Sequence, residues 1–97
     1  MIRLVKVVKL EPLDGFRLRI TFSDGFEGVR DYSDMIAEGG AMVEPLRDKA
    51  FFDKVFISFG VPSWPNGFDV DAVNLHMELR HANALRPVGA EQGQWRA

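Results

Sequence analysis

The sequence contains no cysteine. That excludes disulfide scaffolds, thiolate zinc sites, iron–sulfur clusters and cysteine nucleophiles on chemical grounds. It also points to a reducing compartment, because small secreted domains commonly compensate for a thin core with disulfides. Long apolar runs are missing as well: nothing approaches the roughly 18 residues that a membrane-spanning helix needs. The stretch Met1–Leu10 is broken by Arg3, Lys6 and Lys9, so no secretory signal is expected and a cytoplasmic location is. A basic surplus is also lacking. Twelve Lys and Arg against fourteen Asp and Glu leave a formal charge of -2, which argues against a general nucleic-acid binder. Histidine is scarce: His76 and His81 are the only two. Their spacing of five turns them about 140° apart on a helix, whereas ligands on one face want spacings of three or four. No metal or cofactor is expected.

What remains is ordinary globular composition: 97 residues, 46% hydrophobic and 27% charged. Eight Phe, two Trp and one Tyr are enough to fill a single core. The segment Ile2–Leu10 is β-branched and roughly alternating, which predicts a strand with Ile2, Leu4, Val8 and Leu10 on one face. Arg17–Phe22 alternates cleanly, with Leu18, Ile20 and Phe22 on one side and Arg17, Arg19 and Thr21 on the other. Ser23-Asp24-Gly25 then signals a hairpin, and Phe26–Tyr32 is the return strand.

Ser33 or Asp34 is expected to cap a short helix that Gly39-Gly40 stops. Asp48 is expected to cap a second, Lys49–Lys54. Val55–Phe59 and Val61–Trp64 read as a small hairpin turning at Gly60, with Pro62 confining the return strand to an edge. Pro65-Asn66-Gly67 is a turn, because proline pre-sets one φ and Asn or Gly accepts a positive one. Asp69 or Asp71 then opens a longer helix with Ala72, Leu75, Leu79, Ala82 and Leu85 as its apolar stripe, ended by Pro87. These elements predict an α+β fold: a small antiparallel sheet built from hairpins, two short helices and a longer C-terminal one. The domain is expected to span 1–86. Residues 87–97, where Trp95 is the one large apolar group, are expected to form a mobile tail.

The run Leu18–Tyr32, then Pro45-Leu46-Arg47-Asp48 with Phe52 shortly after, then Trp64-Pro65-Asn66-Gly67-Phe68-Asp69, occur in this order. Together they resemble the small bacterial family known as domain of unknown function 2442. The resemblance implies a compact α+β domain with an antiparallel sheet, and it supplies no catalytic residues. It also implies that members occur alone, fused to a helix-turn-helix segment, or beside a small partner in a toxin–antitoxin-like pair. This chain differs in its longer last helix and tail.

The residues show no nucleophile elbow and no phosphate-cradling loop. The expectation is therefore a non-catalytic interaction or regulatory module that associates with a protein partner, including a second copy of itself. Trp64, Asn66, Phe68 and Asp69 around the turn, with Leu75 and Leu79 on the last helix, are the candidate interaction residues. The alternative is a nucleic-acid-linked regulator or antitoxin-like partner. Its contacts would be Arg17 and Arg19 on the outer face of the hairpin, with Arg30 joining across the strands.

Overall fold

In the computed structural model, which describes residues 5–89, the alternating segments form a hairpin of β2 (Arg17–Phe22) and β3 (Phe26–Asp31). Leu18, Ile20 and Phe22 are buried, as their period of two requires. The connection is a three-residue loop. Gly25 takes φ 87°, its N–H donates to the Phe22 carbonyl at 3.1 Å, and Asp24 Oδ1 accepts from the Phe26 N–H at 3.2 Å. A side chain at that positive φ would be strained, which is why glycine follows Asp24.

β1 (Val7–Pro12) pairs antiparallel with β2, with a register shift between Val7 and Lys9. This bulge corrects the expected phase of the strand. Val7 is buried, whereas Val8 is turned outward and more than half exposed. Ile2 and Leu4 lie outside the described residues.

On the other side of β3 runs a strand that the sequence pattern did not announce, β6 (Arg86–Pro87). The sheet order is β1-β2-β3-β6. Pro87 therefore joins the sheet; the rest of the expected tail from Ala90 onward, Trp95 included, lies outside the described residues.

Helix α1 (Ser33–Glu38) begins at Ser33 itself, one of its two expected caps, so its cap position falls on Tyr32. Asp31, and neither Ser33 nor Asp34, accepts the leading amide, that of Ser33, at 2.9 Å. Hydrogen bonds from the Ser33 side chain and backbone hold the Asp31 carboxyl below the usual carboxylate range. A 3₁₀ turn, Glu44–Arg47, buries Leu46 completely and leads into α2 (Lys49–Phe52). Asp48 caps α2 by accepting from the Ala50 N–H at 3.1 Å. A separate two-stranded hairpin follows, β4 (Phe56–Ser58) with β5 (Val61–Ser63).

The longest helix is α3 (Ala72–His81), and of the two candidate caps it is Asp71 that accepts from the Asn74 N–H, at 2.8 Å. It ends well before Pro87. Asn83 takes a left-handed φ of 58°, the Ala84 N–H donates to the Leu79 carbonyl at 2.8 Å, and the Asn83 N–H donates to Arg80 at 3.0 Å. That pair of bonds is a Schellman closure, with Asn in the place glycine usually takes. Ala82 and Leu85 consequently leave the helical stripe, and the chain turns back to reach β3. Ala72, Leu75 and Leu79 face the core together with the inner side of the sheet and an aromatic group of Tyr32, Phe52 and Trp64.

Candidate functional site

The segment Trp64–Asp71 acts as a clasp. Its N–H and C=O groups form a closed turn: Trp64 N–H to Phe68 O at 2.8 Å and Gly67 N–H to Trp64 O at 2.9 Å. Asn66 ties that turn to a distant loop, with Nδ2 donating to the Met42 carbonyl at 2.9 Å and Oδ1 accepting from the Phe68 N–H at 3.3 Å. Asp69 bridges back to Ser63, and the Val70 N–H donates to Pro62 O at 3.1 Å. Trp64 is 1% exposed, and Phe68 packs against it with ring centroids 5.6 Å apart. Leu75 and Leu79 are buried in the same core. Of the candidate interaction residues, four therefore pack inside or against the core, and Asn66 and Asp69 hold the clasp's backbone.

The arginines separate. Arg17 lies opposite Asp31 and Arg19 opposite Val29, on the outer face of the sheet. Arg17 Nε donates to the Asp14 carbonyl at 3.1 Å, and Arg19 lies 3.8 Å from Glu11. Arg30 pairs with Leu18 in the ladder, which puts it on the opposite, core-facing side. There its guanidinium stacks 4.7 Å from the Tyr32 ring centre, reaches Glu78 at 3.3 Å, and donates to the Asp31 carbonyl. The expected three-arginine row is thus two arginines among acidic neighbours, with the third on the far face.

Two features that the sequence patterns did not single out are more distinctive. The first is the tip of the β4–β5 hairpin. Ser58 pairs with Val61, so the loop holds only Phe59 and Gly60, and both have positive φ, 51° and 78°. This is the requirement of a type I′ turn, which Asn-Gly satisfies easily and a phenylalanine does not. Phe59 is held there with 101% exposure. Phe56, Ile57 and Val8 are also exposed, and the hairpin is fixed to β1 by the Val7 N–H donating to Gly60 O at 2.8 Å.

The second is an acid–imidazole pair. His76 Nε2 lies 2.8 Å from Asp24 Oδ2, joining the middle of α3 to the β2–β3 turn. The pair is partly buried, with side chains 15% and 24% exposed, and the His76 and Phe22 rings meet nearly perpendicular with centroids 4.9 Å apart. A carboxylate oxygen only accepts, so in this contact Nε2 is the donor. Beside the pair is a cavity of about 320 Å³, lined by both residues and by Phe26, Arg80, Asn83 and Leu85. Among the described residues no group of three or more His, Cys, Asp or Glu could hold a metal ion. Nor is any described helix long and apolar enough to cross a membrane.

The architecture defines a small α+β protein: a four-stranded antiparallel sheet, a second hairpin and a covering helix. Within that class, the chain belongs to the family of proteins of unknown function DUF2442, which matches residues 7–81. No curated protein and no solved structure matches it.

Proposed function

We propose that this chain is a non-catalytic protein-association module of the cytoplasm, and that it pairs with a second copy of itself through the β4–β5 end. The observation that carries the reading is Phe59, wholly exposed in a backbone conformation that suits asparagine or glycine. In the single chain this arrangement combines turn strain with exposed apolar surface. Burial against a partner would recover about 1.5–3 kcal/mol for the phenyl group alone. Val8, Phe56, Ile57 and Phe59 give this end an uncharged apolar surface, with the Lys6 side chain lying against Gly60 at its rim. The outer arginines, each with an oxygen partner inside the chain, favour this reading over the nucleic-acid-linked one. Sedimentation equilibrium of the full chain and of Phe59→Asn tests it. Self-association that the substitution abolishes supports the reading; a monomeric full chain overturns it.

A further inference from the structure

The cavity beside Asp24 and His76 has the makings of a ligand site independent of the hairpin end. Its size, about 320 Å³, is at the small end of ligand pockets, which run from roughly 300 Å³ upward. Its walls combine two kinds of group. Phe26 and Leu85 supply apolar surface, and Phe26 is exposed although it opens a strand of the central sheet. Arg80, Asn83 and His76 supply polar groups that converge from α3 and the loop that closes it. The side chain of Arg80 has no hydrogen-bond or ion-pair partner among the described residues, which leaves its guanidinium fork available. The carboxylate of Asp24 is already used at both oxygens: Oδ1 accepts from the Phe26 N–H at 3.2 Å and Oδ2 holds His76 at 2.8 Å. The groups left to meet a ligand are therefore a cation, an amide and an oriented imidazole above an apolar floor.

We infer that this cavity binds a small organic carboxylate with an apolar body. The guanidinium of Arg80 takes the carboxylate in a charge-assisted contact. The ligand's hydrocarbon part covers Phe26 and Leu85. Asp24 is a positioning residue that fixes the orientation of His76.

The inference is tested on the full chain by NMR titration with three probes: benzoate, benzylammonium and inorganic phosphate. Benzoate should bind saturably, with a Kd on the order of 1 mM, and shift resonances of Phe26, Arg80 and Leu85. Arg80→Gln should weaken it about tenfold, the scale of a lost charge-assisted hydrogen bond. Arg80 is exposed on its helix, so the variant keeps the fold. Absence of saturation by benzoate overturns the inference. So does benzylammonium binding as tightly, since Asp24 would then dominate the cavity. Inorganic phosphate binding as tightly as benzoate overturns the role of the apolar floor, and an unchanged benzoate affinity in Arg80→Gln overturns that of the guanidinium.

Discussion

The indole Nε1–H of Trp64 donates to the backbone carbonyl of Phe52 at 2.9 Å, joining the Trp-Pro-Asn-Gly clasp to the end of α2 inside the core. The bond satisfies the one polar atom of a side chain that is otherwise enclosed by Tyr32, Phe52 and Phe68. Trp64→Ala removes both the volume and the bond. It should destabilise the domain by about 3–5 kcal/mol, which is most of the stability of a chain this small. Chemical denaturation checks it. Trp64→Phe should fall between, because it keeps most of the ring but takes the indole donor from the Phe52 carbonyl, which retains only the Val55 N–H at 3.3 Å.

A second prediction concerns close packing. A Cβ on Gly28 would stand 2.9 Å from the Ala84 backbone oxygen and 3.2 Å from Leu79 Cδ1. The loop that closes α3 thus passes directly over β3, and the backbone oxygen cannot swing aside as a flexible side chain would. Gly28→Ala should cost about 1–3 kcal/mol and loosen the β3–β6 pairing. Hydrogen exchange at the Val88 amide, which donates to Gly25 O at 3.0 Å, reports the second effect.

Tyr32 makes stability depend on alkali. It is the only tyrosine, it is 2% exposed, and its hydroxyl has no hydrogen-bond partner among the described residues. Burial raises its pKa well above the ordinary 10.0, because the phenolate would lose its water. The unfolded chain therefore ionises first. Below about pH 10 the contribution to stability is constant, and above it stability falls with rising pH until the folded tyrosine also ionises. Melting temperature followed upward from pH 9 should drop in the full chain, and the part due to this group should vanish in Tyr32→Phe. Phenolate absorbance, from this one residue, should appear together with unfolding.

Much of the fold was legible because its signals are local. The period of two in Leu18-Arg19-Ile20-Thr21-Phe22, the Asp24-Gly25 turn and the Asp48 and Asp71 caps each act over a few residues. The failures have equally specific causes. One inserted residue at the β1 bulge reversed the face of Val8. α3 stops at a left-handed Asn83 rather than running on to Pro87, because an Asn closure ends the helix first. The same closure turns the chain back into β6 and takes Ala82 and Leu85 out of the apolar stripe.

The functional features were less legible for a different reason. Asp24 and His76 are 52 residues apart and meet only in the folded chain. The strain at Phe59 depends on a two-residue loop length, which follows from the Ser58–Val61 register rather than from composition.

That strain gives the fourth prediction. Phe59→Asn produces the favoured Asn-Gly pair for a type I′ turn and removes no packed side chain. It should raise monomer stability by about 0.5–1 kcal/mol, a gain of several degrees in melting temperature for a domain of this size.

The most direct measurement of the account is the association constant of the full chain set beside that of Phe59→Asn, by sedimentation equilibrium over a concentration series reaching tens of micromolar. The account predicts a reversible dimer for the full chain and a monomer, more stable to heat than the full chain at low concentration, for the variant. A full chain that stays monomeric throughout, or a dimer that Phe59→Asn leaves equally tight, would contradict it.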